Sequence, residues 1–158
     1  MARYHADNRM AGTQQNLSTT YKTLIEVHGV TATLCRGRAT QISIGADGAP
    51  NATDCQIVYT IQRITAAGTG GAAVTPNPIV PADVASRSGS RANETAEGTY
   101  TLPIWSRSLN QRASMQWAAP DTDAMLLWPA TNLAGVVLLA LSPTYAAPAL
   151  GGIDYEDQ

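Results

Sequence analysis

The chain has 158 residues, a formal net charge of −2, only 14% charged side chains and no Phe. That length suits one domain able to form a core without covalent staples. The near-neutral balance excludes a global basic field for nucleic acid, and the longest apolar run, Leu133–Leu141, falls far short of the roughly 20 residues of a membrane-spanning helix. Neither a nucleic acid nor a membrane is therefore expected as a partner. With charges well below the roughly 25% of ordinary soluble domains, the surface must be covered by Thr, Ser, Asn, Gln and Gly. Met1–Met10 is polar and holds Arg3 and Arg9, without the apolar stretch of a secretory signal.

Residues 1–20 show almost no apolar periodicity, and Ala11–Asn16 is wholly polar apart from Ala11. Such a stretch cannot bury enough surface to fold alone. It reads as an extended N-terminal arm, either frayed or ordered on a partner. Gln14 and Asn16 are its candidate contact residues. From Tyr21 the pattern turns to β. Leu24–Val27 and Val30–Cys35 are short β-rich runs hinged at His28-Gly29, and Gln41–Ile44 alternates apolar with polar. Gly45–Asn51, with Asp47-Gly48 and Pro50, is a turn. Cys55–Ile64 is the clearest strand, with Ile57, Tyr59 and Ile61 on one face and Gln56, Thr60 and Gln62 on the other. Thr65–Glu97, rich in Gly, Pro and Ser, reads as one long irregular loop, with a helical turn over Pro81–Ala85; loops of that length usually have a task.

Strands resume at Thr99–Trp105 and Leu109–Trp117, where Leu109, Ala113, Met115 and Trp117 share a face. Ala124–Trp128 and Gly135–Leu141 are the last two core strands. Their unbroken apolar character implies burial on both faces or at a subunit interface. Residues 148–158, ending in Asp154-Tyr155-Glu156-Asp157, read as a C-terminal tail. About seven to nine short strands between Gly/Pro turns specify an all-β fold, a single antiparallel sandwich over residues 21–147.

No catalytic constellation is legible. His5 and His28 have no carboxylate beside them in sequence, Lys22 is the sole lysine, and there is neither a Gly-x-Ser-x-Gly elbow nor a phosphate loop. No cofactor is expected. Asp121 and Asp123 flank an apparent hairpin turn, where Asp is favoured for turn geometry alone; a cation site is the alternative. Cys35 and Cys55 are either two buried thiols or a disulfide, which would be worth about 3 kcal/mol. Arg36-Gly37-Arg38 is a turn carrying two charges, either solubilising or part of an interface. Trp117 and Trp128 suit a core. Trp105, followed by Ser106-Arg107, has no clear face and is the best aromatic anchor for a partner. Arg107 beside it and Tyr155 in the acidic tail complete the candidate contact set.

The block Leu109-Asn110-Gln111-Arg112-Ala113-Ser114-Met115-Gln116-Trp117-Ala118-Ala119-Pro120, continued by Trp128-Pro129-Ala130-Thr131-Asn132, resembles a family of small virion proteins encoded in the structural gene clusters of tailed bacteriophages. Ile61–Thr69, Val74-Thr75-Pro76, Pro81-Ala82-Asp83 and Ala92–Ala96 are similar to the same family. The likeness runs over about Ile57–Pro148. It departs at Gln116, where Arg is usual, and before Tyr21. It implies a non-enzymatic capsid cement (decoration) protein with a jelly-roll-like sandwich. The implied protein is a homotrimer on the outer surface of the virion capsid, assembled in the host cytoplasm, with the major capsid protein as partner. A tail, neck or baseplate component and a glycan-binding adhesion module are the alternatives; the second rests on the three Trp and the long loop.

Overall fold

In the computed structural model, which describes residues 1–121 and 125–158, alternating inward and outward side chains organise thirteen strands among the described residues. They are β1 (Arg3–Asp7), β2 (Lys22–Gly29), β3 (Gly37–Ala46), β4 (Gln56–Ala66), β5 (Ala72–Val74), β6 (Asn77–Pro78) and β7 (Ser88–Ala92). There follow β8 (Thr99–Tyr100), β9 (Trp105–Asn110), β10 (Ser114–Ala118), β11 (Leu126–Trp128), β12 (Gly135–Leu141) and β13 (Ala149–Asp157). One sheet runs β10-β3-β13-β1-β6, with β11 beside β10 on the same edge of β3. The other runs β5-β7-β2-β12-β4-β8, with β9 sharing the outer edge of β4. Every pairing is antiparallel, and the two sheets pack together as the all-β sandwich that the sequence specifies.

The core forms where the inward faces meet. Tyr4 and Ala6 of β1, Ala39, Ile42 and Ile44 of β3, and Ile153 and Tyr155 of β13 come from one sheet. Leu24, Ile25 and Val27 of β2, Ile57, Tyr59 and Ile61 of β4, and Val136, Leu138 and Ala140 of β12 come from the other. Each large side chain removed from water here contributes about 1.5–3 kcal/mol. The inward set of β4 is the one its alternation predicts. Its opposite face is covered as well: Ile64 packs with Val137 and Leu139 of β12 in a second small cluster under Tyr21 and Tyr100. That is why β12 is apolar throughout, buried on both faces within one chain.

Both ends of the chain correct the sequence reading. Residues 1–20 are not an arm. β1 lies between β13 and β6, and Asp7 caps the next 3-10 turn by accepting from the N–H groups of Arg9 and Met10. Leu17 is buried, and its N–H donates to the Ala147 carbonyl at 3.2 Å. Residues 148–158 are not a tail either. β13 is the middle strand of its sheet, paired with β3 on one side and β1 on the other. The inward side chains of β1 are only Tyr4 and Ala6, and those at the end of β13 alternate with acids. Neither pattern stands out from a polar background until the partner strand is in place.

Three internal segments also differ. Val30–Cys35 holds a 3-10 turn at Thr31–Thr33 rather than a strand, because there the chain crosses from one sheet to the other. The segment 65–97 is not one loop. It contains β5, β6 and β7, and β7 buries only Ser88, Ser90 and Ala92, too small to register as an apolar face. Pro81–Ala85 forms a turn without a helix, closed by Asp83 N–H on the Val80 carbonyl at 2.9 Å. The expected Leu109–Trp117 strand is cut at Gln111–Ala113, so that β9 belongs to one sheet and β10 to the other. Buried Gln111 makes that corner: it accepts from Asn51 N–H at 2.9 Å and donates to the Asn51 and Thr53 carbonyls. Ala124, the first residue of another expected strand, lies outside the described residues, as does Asp123.

Candidate functional site

The expected contact residues scatter over the sandwich. Gln14 is half-buried, and exposed Asn16 forms an isolated bridge with Pro148. Tyr155 is fully buried, its ring tilted against Tyr4 and Trp128 at 5.5 and 5.9 Å between centroids, so it cannot meet a partner. Arg38 is bound internally: its Nε and Nη2 donate to Glu156 Oε2 at 2.7 and 2.6 Å, while Arg3 donates to Oε1 at 2.7 Å. Burial alone would raise the Glu156 carboxyl, but the two guanidiniums bring it below its ordinary value. Trp105 is half-buried at the start of edge strand β9, with the exposed Arg107 guanidinium 5.5 Å from its ring centre. Arg36 is exposed. The two cysteines are free thiols, both buried.

Arg36 leads to a feature that the sequence does not show. One end of the sandwich gathers the start of β3, the end of β13 and the segment 127–135. Two shallow clefts lie on either side of the Leu127-Trp128-Pro129 ridge. One, of about 260 Å³, is lined by Arg36 and Gln158 together with the ridge. The other, of about 340 Å³, is lined by Arg63, Ile64, Ala134 and Gly135 with the same ridge. Arg63 donates through Nη1 to the Leu127 carbonyl, and burial depresses its basicity. Arg87 reaches the same end, its Nη2 donating to the Leu34 carbonyl at 2.9 Å. Among the described residues, no carboxylate lies within ion-pair distance of Arg36, Arg63 or Arg87. The acids nearest in the chain are engaged. Asp157 accepts from Ser86, from Ser88 and from the Arg87 N–H, and Glu156 holds Arg3 and Arg38. Trp128 is buried with its indole over Gly37, where a Cβ would stand 2.1 Å from the ring; the indole N–H makes no hydrogen bond among the described residues. Leu34 and Leu127 are exposed at 40% and 51%.

A second cluster lies under the outer face of the other sheet. Glu26 of β2 and Glu94, just beyond β7, are both fully buried, and their carboxylate oxygens make no hydrogen bond within the described chain. Arg91 Nε stands 3.8 Å from Glu94 Oε1, and His28 Nδ1 stands 3.4 Å from Glu26 Oε1. The Gly68 backbone closes over Glu94, so tightly that a Cβ there would meet Oε2 at 1.3 Å. Burial, with Glu94 as neighbour, pushes the Glu26 carboxyl up to about 7, and burial likewise raises Glu94. Burial and Arg91 push His28 down to about 4. On the opposite sheet, His5 sits between Asp154 at 2.5 Å and Asp7 at 3.1 Å. The Asp154 hydrogen bond, opposed by burial and helped by Asp7, lifts His5 to about 9. Among the described residues, no group of three or more His, Cys, Asp and Glu side chains is placed to hold a metal ion.

No family model, curated protein or solved structure matches the chain.

Sequence reasoning missed Arg63 and Arg87 as members of a site because they lie on strand β4 and in the segment read as loop, far apart in the chain. Glu26 carried a signal: a lone acid inside the apolar run Leu24–Val27 must be buried with the strand or mark its second face. Asp121 is exposed in its turn.

Proposed function

We propose that this chain is a capsid cement protein of a tailed bacteriophage, a rigid sandwich that binds across neighbouring major capsid subunits on the outside of the head. The observation that carries the reading is where the surface apolar side chains sit. Ile79, Val80 and Val84 lie on one loop, and Leu102 and Ile104 on another, all exposed by 44% or more on a weakly charged surface where Met1, Leu34 and Leu127 are the other large apolar side chains exposed among the described residues. Exposed apolar groups gathered on loop tips mark contact sites more often than scattered ones do. With both termini stitched into the middle of one sheet, the body is stiff and loses little conformational entropy on docking. Edge strand β9, with Ser106, Arg107 and Ser108 exposed, adds a free row of backbone groups for strand addition. A particle presenting many identical sites multiplies a modest single contact. A homotrimer places the same loops over a threefold junction of the shell.

The test is sedimentation of the purified protein with mature capsids that lack it, followed by counting copies per particle. Saturable binding at hundreds of copies supports cement. Tens of copies or fewer assigns the chain to a tail, neck or baseplate position, and no binding at micromolar concentration ends the capsid reading.

A further inference from the structure

We infer that the arginine-bearing end of the sandwich, formed by Arg36 and Arg63 around the Leu127–Pro129 ridge with Arg87 beside Leu34, is a docking site for an acidic segment of a partner protein. Three features point to an anionic occupant. Arg36 and Arg63 line the two clefts that share the ridge, Arg87 bonds the Leu34 carbonyl two residues before Arg36, and none of the three guanidiniums has a carboxylate partner among the described residues. The other basic side chains of the described sandwich, Arg107 apart, each have a carboxylate within 4 Å. Arg63 is also partly desolvated while it keeps its charge, a costly state that a bound carboxylate relieves.

The shape adds a second requirement. The two clefts share one apolar ridge; exposed Leu127 lines both of them with Arg36 and Arg63, and exposed Leu34 is bonded by Arg87. A small anion covers none of that apolar surface. An extended peptide does: its carboxylates take Arg36 and Arg63 on either side of the ridge, and its apolar side chains lie on Leu127 and Leu34. Guanidinium forks match carboxylates in a bidentate way that ammonium groups do not, which fits a site built from Arg in a chain with a single Lys. A nucleic acid is disfavoured, because three charges on a chain of net charge −2 make a small footprint and the ridge between them is apolar. The site stands on its own geometry; it rests on the capsid reading only for which protein supplies the acidic segment.

The experiment titrates the full chain with a blocked peptide of alternating Glu and Leu, with the same peptide carrying Gln for Glu, and with a short DNA duplex. Binding is followed by calorimetry and by backbone amide shifts. The expected result is binding of the Glu peptide alone, weakened by added salt, with shifts concentrated at Leu34, Arg36 and Leu127–Pro129. Arg36→Gln and Arg87→Gln, both at exposed positions, each weaken it by about tenfold. Arg112→Gln, whose partner Asp54 lies elsewhere, leaves it unchanged. Equal binding of the Gln peptide, unchanged affinity in both variants, or preference for the duplex overturns the inference. Peptide binding without capsid binding sustains this site and removes the capsid reading; capsid binding without peptide binding does the reverse.

Discussion

Replacing Glu26 by Gln should stabilise the protein in a pH-dependent way. Glu26 is fully buried, has no hydrogen-bond partner in the described chain, and lies near a second buried acid, Glu94. Its pKa rises from 4.5 to about 7 on folding. The sign follows from linkage: between those values the unfolded chain releases the proton while the folded chain keeps it, so stability falls as pH rises across that window. The whole effect is roughly 3 kcal/mol, complete above the folded value. The Gln side chain has nearly the same shape and no proton to lose. His28 stands 3.4 Å from Glu26 and has a folded pKa of about 4, so it is neutral in the folded protein over most of this window; its own cost as pH falls below its ordinary 6.5 runs in the opposite direction. Urea unfolding of wild type and Glu26→Gln at a series of pH values from 4 to 8.5 reads this directly. The difference should move in favour of the variant by roughly 3 kcal/mol across the series, about 6–12 °C in Tm for a chain of this size. A pH-independent difference, or one that moves towards the wild type as pH rises, would refute the assignment of Glu26 as a carboxylic acid held neutral by burial.

Three further outcomes are expected. Deleting residues 1–7 removes β1 with buried Tyr4 and Ala6, and should cost more than about 4 kcal/mol or abolish cooperative unfolding; an unchanged urea midpoint would show that the end is dispensable. Arg38→Ala leaves buried Glu156 with Arg3 alone and should cost about 2–3 kcal/mol by the same measurement. His5→Gln should destabilise by about 1 kcal/mol after allowance for solvent screening. Because the folded His5 pKa is raised to about 9, that loss should be full below pH 6.5 and vanish as pH rises through 9; NMR titration of the His5 ring checks the value independently.

The β class, the inward faces of β3 and β4 and the burial of β12 were legible in the sequence because each rests on local alternation or on a continuous apolar run, which a strand expresses without help from distant residues. The corner at Gln111 was not, since the alternation from Leu109 to Trp117 continues through a turn made by Asn51 and Thr53, some sixty positions earlier. The ends were hidden for the same reason. Arg3, His5 and Asp7 look like a soluble terminus until they are set against Glu156, Asp154 and Gly152 across the ladder. The arginine-bearing end was hidden too: Arg36 stood out as a charged turn, but Arg63 came to the same ridge only when the sheets closed.

What the amino-acid order determined by itself, then, is the extended backbone and which side chains seek water. Which charges are paired, which are buried and which stay at the surface was decided only by the tertiary structure, because Coulomb interaction and desolvation depend on distance in space and on the depth of the surrounding chain, neither of which is set by sequence separation.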